Sequence, residues 1–233
     1  MASRLRTILA CLAMSLALAA CGPSEPDQRK AFIAFLQNDV LPRPGARVPN
    51  PSAEKQKTFG DYAGHYAVIT RFHERINASV ATPMQQALSN GVPRSLEEAI
   101  ARRADIAAVR AGLTTMRTAL DEAAAATEAE RAALKQPDDL RAVYASAYDK
   151  LVVQPVTVFR EIFPPADDAF AAILAMAELV EGNRQAIKLN GSQLEVTNPA
   201  LRAKVQAALE GMASKQRSMT EAQQKMRRVL YGS

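Results

Sequence analysis

The sequence predicts an all-α fold, an elongated bundle of long antiparallel helices with one small β-hairpin. Three observations carry that prediction. Hydrophobic residues make up 48% of the 233 residues while aromatics make up only 5% and Trp is absent, so alanine supplies much of the apolar content, which favours closely packed helices over sheets. Apolar residues recur at spacings of three and four through most of the chain. Asn190-Gly191, flanked by apolar residues, is the one strong hairpin signal.

Before the bundle comes a leader. Arg4 and Arg6 precede an apolar run from Ile8 to Ala20, and Leu18-Ala19-Ala20-Cys21 places small residues directly before a cysteine. That order predicts a lipoprotein signal peptide over residues 1–20 and acylation of Cys21. The run is shorter than the ~20 apolar residues a spanning helix needs, and a plain secretory signal does not require cysteine at the first mature position. Cys11 falls in the leader, so the mature chain offers no disulfide and no cysteine nucleophile. Gly22 and Pro23 follow the cysteine where an Asp would signal retention at the inner membrane. The expected address is therefore the outer membrane, on its periplasmic face, with the periplasmic face of the inner membrane as the alternative. Residues 21–26 are the acylated cysteine and a short tether, Gly22-Pro23-Ser24-Glu25-Pro26, which reaches about 17 Å at most at ~3.3 Å per residue.

The helical domain is expected over 27–233. Asp27-Gln28-Arg29-Lys30 opens a first helix whose apolar face is Phe32, Ile33, Phe35, Leu36 and Val40, and Pro42 with Pro44-Gly45 ends it. Ser52 caps a second helix carrying Phe59, Tyr62, Tyr66, Ile69, Phe72 or His73, Ile76 and Val80. Gly60 and Gly64 on this helix are expected to allow close contact, and Pro83 to kink or end it. Asn90-Gly91-Val92-Pro93 reads as a turn. Ser95 with Glu98 forms a capping box, from which one long helix is expected to reach about Gln136. Its seam is Ile106, Leu113, Leu120, Thr127 and Leu134, with Val109, Met116, Ala123 and Glu130 as the companion row. Thr127 and Glu130 weaken this coiled-coil-like stripe.

Pro137-Asp138-Asp139 starts another helix through Leu140, Val143, Tyr144, Ala147 and Leu151. Pro155 is expected to interrupt it, Pro164-Pro165 to divide the next segment, and Asp167-Asp168 to begin a further helix that Gly182-Asn183 stops. The hairpin near 187–196 is expected to pair Ile187 with Leu194 and Leu189 with Ser192. Val196 falls on the same side, and Lys188 faces Gln193 on the other. Asn198 or Thr197 caps the last helix, with Pro199 in its first position. There Val205, Met212, Met219 and Met226 recur every seven residues, each followed after four by Leu209, Gln216, Gln223 and Leu230. This helix is expected to pack along the one that starts at Ser95.

The formal charge of +5 is too small to argue for nucleic acid as a partner. His65 and His73, with Asp61 four residues before the first, are the one combination that hints at a metal. Eight residues turn them about 80° apart around a helix, and no third ligand is visible, so no metal or other cofactor is predicted. The carboxylate pairs Glu97-Glu98, Asp121-Glu122, Asp138-Asp139 and Asp167-Asp168 are neighbours on single helices that point in different directions, unlike an acid/base pair facing across a cleft. No nucleophile elbow or phosphate-cradling loop appears, so no enzyme activity is predicted. The row Val205, Met212, Met219, Met226 is ordinary core or an apolar groove lined by flexible thioethers. Lys215, Arg217, Lys225, Arg227 and Arg228 make the same helix basic.

Asp27-Gln28-Arg29-Lys30-Ala31-Phe32-Ile33 with Phe35-Leu36-Gln37 resembles the YiaF-like family of Gram-negative lipoproteins. Phe59-Gly60, Tyr66-Ala67 and Ala133-Leu134-Lys135-Gln136 with Asp138-Asp139-Leu140 extend the resemblance over most of the mature chain. It implies a lipid-anchored envelope protein of a family without an assigned activity, and it supplies no catalytic or binding residues. Two functions follow as expectations. The first is a non-enzymatic envelope protein, held in the membrane by its acyl anchor, that binds another envelope protein or itself through a helical stripe. The second is a binder or carrier of lipid or another small apolar ligand in the Met-rich groove.

Overall fold

The structure, a computed structural model, describes residues 23–232 apart from 88, 90, 92, 191 and 192. Cys21 and the leader, and Gly191 of the expected turn, lie outside the described residues. Helix α1 (Glu25–Phe35) runs through a widened, π-type turn to Val40, and α2 (Ala53–Thr58) is short. Helix α3 (Ala63–Ile76) continues through a π-type turn at Asn77–Ala81 into α4 (Thr82–Ala87). Then come α5 (Leu96–Ala101), α6 (Arg103–Ala132) and α7 (Asp138–Tyr148), the last joined by a π-type turn at Asp149–Val153 to α8 (Gln154–Glu181). Strands β1 (Ile187–Asn190) and β2 (Gln193–Val196) form the hairpin, and α9 (Pro199–Tyr231) closes the chain. The all-α architecture with its single antiparallel hairpin is as the composition and periodicity predict.

Four boundaries differ from expectation, and proline is behind three of them. Pro83, Pro155 and the pair Pro164-Pro165 do not stop their helices. A proline has no N–H to give and crowds the carbonyl four residues back. At three sites the chain meets this in the same way: the residue just before the proline donates five residues back, widening the turn. Leu41 N–H reaches Leu36 O before Pro42, Thr82 reaches Asn77 O before Pro83, and Gln154 reaches Asp149 O before Pro155. The fourth difference is that the helix expected from Ser95 is two helices, broken at Arg102 (φ −102°, ψ 19°).

Asp167-Asp168 therefore start nothing; they lie inside α8 and bind neighbouring helices. Gly60 is not on a helix face. It takes φ +52° at the junction of α2 and α3, where a Cβ would strike the Gln28 side chain, whereas Gly64 faces open space. In the hairpin the partners are Ile187–Val196, Lys188–Glu195, Leu189–Leu194 and Asn190–Gln193, two residues away from the expected register. A shift of two preserves the face of every side chain, so the apolar side remains Ile187, Leu189, Leu194 and Val196.

Helix α8 is the central element. It packs antiparallel to α6 on one side and α9 on the other, so α9 lies on α8 and not along α6 as expected. Ion pairs bracket Pro164-Pro165 on both flanks. Toward α6, Arg160 binds Asp121 at 2.8 Å and Asp167 binds Arg110 at 2.7 Å. Toward α9, Glu161 binds Lys225 and Asp168 binds Lys215, both at 2.5 Å. The main core gathers Phe32, Phe35, Phe59, Phe72 and Tyr144 with the seam residues Leu113 and Leu120 of α6. A smaller core of Met176, Val180, Ile187, Leu201 and Val205 seats the hairpin.

Polar seam residues are satisfied. Buried Thr127 donates to Ala123 O (2.7 Å), and Glu130 accepts from Arg71 (2.5 Å) and Arg75 (2.6 Å) of α3. The Lys150 ammonium caps the end of α1 by donating to the carbonyls of Val40 (3.2 Å), Leu41 (2.7 Å) and Arg43.

Candidate functional site

The histidines hold structure. Pro155 cannot provide the helix donor for Leu151 O, and His73 Nε2 donates to that carbonyl at 2.6 Å. His73 is thereby fixed as the Nε2–H tautomer, and burial lowers its pKa, offset in part by this bond. His65 Nδ1 meets the Gln136 side chain at 3.2 Å and lies among Phe32, Tyr62 and Tyr144; burial lowers its pKa too. Among the described residues no three His, Cys, Asp or Glu side chains gather as a metal site. The carboxylate pairs are largely bolts between helices. Asp121, Asp167 and Asp168 bind cations across helices, as does Asp139 with Arg29 at 3.4 Å. Asp138 binds Arg141 within α7.

An apolar cavity of about 400 Å³ lies between α8 and α9, closed by the Asn77–Ala81 turn and by α4. This volume lies in the range of small-molecule sites, ~300–1,000 Å³. Helix α8 gives it one face, with Phe159, Ile162, Phe163, Ala166, Phe170 and Ile173 at helical spacing. The small Ala166 and Ala169 sit between larger neighbours and leave the gap. Helix α9 supplies Gln216, Met219, Gln223 and Met226; Val80 and Met84 come from the turn before Pro83 and from α4. Among the described residues no charged side chain lines it.

A second chamber of about 450 Å³ continues toward the hairpin and shares Ala169, Ile173 and Gln216 with the first. Met176, Leu194, Leu209 and Met212 line it. Of the four-residue row, then, Met219 and Met226 border the first chamber and Met212 the second, while Val205 is buried under the hairpin in the smaller core. The α8 face escapes a sequence reading because Pro164-Pro165 reads as a break; the spacing 159, 162, 163, 166, 170, 173 is the signal that finds it. Of Lys215, Arg217, Lys225, Arg227 and Arg228, Lys215 and Lys225 are bound to α8 carboxylates.

These features define a helical-bundle head with an uncharged groove along its central helix. The chain belongs to the family described as Protein of unknown function (DUF3053), whose profile matches residues 9–227. It is similar to Uncharacterized protein YiaF of Escherichia coli (strain K12), 28% identical over 195 residues, which is 82% of either chain. The proteins of that name from Escherichia coli O157:H7 and Shigella flexneri match to the same extent. No solved structure matches the chain.

Proposed function

We propose that this protein is a non-enzymatic envelope lipoprotein, acylated at Cys21 and held on the periplasmic face of the outer membrane, whose helical head binds a small apolar ligand of acyl-chain character. The observation that carries the reading is the uncharged cavity under Met219 and Met226. Walls of aromatic, aliphatic and thioether groups suit an alkyl chain, and flexible methionines adapt to its shape. The competing reading, a protein partner or a second copy on the α9 stripe, is less well supported because Met212 and Met219 turn inward onto the cores and not out to solvent.

Anchor and groove stand at different levels of the bundle. Tyr62 bonds Glu25 at the start of α1, and the helical run from Tyr62 to Val80 rises about 27 Å at ~1.5 Å per residue, farther than the tether extends. The proposed occupant is a ligand from outside the chain, which dissociates where a covalently attached acyl chain would not. Native mass spectrometry of the purified, acylated protein tests this. The wild type is expected to carry a dissociable lipid-sized mass that Met219→Trp, which fills the cavity, removes. A wild type without such a mass, or a stable protein complex in its place, contradicts the reading.

A further inference from the structure

The two chambers differ in charge. The one under Met219 has no ionised side chain along its walls among the described residues, so a charged group placed there would lose its hydration with no counter-charge to offset the loss. The adjoining chamber is lined in part by Arg94, the one charged residue lining either chamber among the described residues. The nearest acid is already engaged: one Glu98 oxygen accepts the Arg94 backbone N–H (2.9 Å) and the other binds the Arg102 guanidinium (2.7 Å). The Arg94 guanidinium makes no salt bridge among the described residues, although its charge acts on the Glu98 carboxylate from a distance. Gln216, where the chambers meet, is exposed, and its side-chain amide has no hydrogen bond among the described residues. The α8 face from Phe159 to Ile173 rises about 21 Å, and one acyl chain spans about 15 Å, half of a ~30 Å hydrocarbon core.

Resting on the apolar-ligand reading above, we propose that the groove takes a single-chain anionic amphiphile, its tail among Phe159, Phe163 and Met226 and its acidic head past Gln216 at Arg94. The head chemistry, one anionic group on one alkyl chain, is shared by a free fatty acid and a lysophospholipid. An inverted ligand would bury its charge in the uncharged chamber and leave Arg94 unmatched. Because Arg94 is exposed, the gain from its pairing is that of a surface ion pair, a few-fold in affinity.

The test uses the full-length acylated protein in phosphatidylcholine nanodiscs and three photoreactive probes of equal chain length with a diazirine at the tail end: a fatty acid, a lysophosphatidate and a neutral fatty alcohol. Labelled peptides are located by mass spectrometry. Both anionic probes, or one of them, are expected to label the Phe159–Phe163 or Met226 peptides more strongly than the alcohol does. Arg94→Ala is expected to reduce that labelling about fivefold and to leave alcohol labelling unchanged; the stronger anionic probe tells carboxylate from phosphate. Equal labelling by all three probes, indifference to Arg94→Ala, or tail-end label on the Leu194 peptide overturns the head assignment while the groove stands. Absence of label from every probe, or label that survives Met219→Trp, overturns the groove itself.

Discussion

At the scale of single residues, conformations are fixed by groups that other residues leave unbonded. Pro155 frees Leu151 O, and His73 takes it; α1 ends with free carbonyls, and Lys150 takes them. This makes stability depend on pH. Both histidines have pKa values lowered from 6.5 by burial, so the unfolded chain binds protons first as pH falls. Stability is then full above about pH 6.5 and declines as pH drops through that value toward the lowered pKa, by at most about 1.4 kcal/mol per pH unit for each histidine. Thermal melting at pH 7.5 and 5.5 checks this: the midpoint is expected to drop at the lower pH, and to drop less in His73→Gln. Gly45 is a second case. It takes φ +66°, and a Cβ there would lie 2.5 Å from Leu230 O, so the loop after α1 and the end of α9 meet backbone to backbone. Gly45→Ala is expected to cost more than the ~1–2 kcal/mol of a left-handed alanine, measured by urea unfolding.

At the scale of elements, α8 shows what holds a proline-containing helix in place. Four interhelical ion pairs flank Pro164-Pro165, yet exposed pairs contribute only ~0.2–1 kcal/mol each. Burial of Phe163 and Ala166 stabilises the helix more than these pairs do. Asp167→Asn is therefore expected to cost under about 1 kcal/mol, and Phe163→Ala about 3–5 kcal/mol, both read from denaturant midpoints. A result with the order reversed would make electrostatics the principal bond of the bundle. Much of this level is legible in the sequence. The faces of α1, α3 and α6 follow from spacing, and the caps at Ser52, Ser95 and Asn198 from residue type. The helices that continue past proline do not, because local propensity says stop while packing on both flanks and a widened turn say continue. The hairpin faces survive a wrong register because strand periodicity is two. Half of the groove, the methionine and glutamine rows, is visible in the spacing of α9. The other half is concealed by Pro164-Pro165, and no pattern in α9 alone says that it packs on α8 and not on α6.

For the whole molecule, α7 and α8 together, Asp138–Glu181, form a helical run of about 65 Å at ~1.5 Å per residue, with the start of α1 at one end and the hairpin at the other. The proposed acyl anchor joins that first end to the membrane. Two or more acyl chains hold far more firmly than the single chain that gives only marginal binding, so Cys21→Ala is expected to move the protein from the membrane pellet to the soluble fraction on cell fractionation. Retention in the pellet equal to wild type would contradict acylation at Cys21. The groove between α8 and α9 lies between these two ends.

The most direct test of a ligand-binding head is a titration of the protein with N-phenylnaphthylamine, a neutral apolar fluorophore that brightens when it leaves water. The groove predicts saturable, one-to-one brightening for the wild type, its loss in Met219→Trp with the melting temperature preserved, and displacement by a long-chain fatty acid. Brightening that never saturates, or that is the same in Met219→Trp, would contradict a binding cavity between α8 and α9.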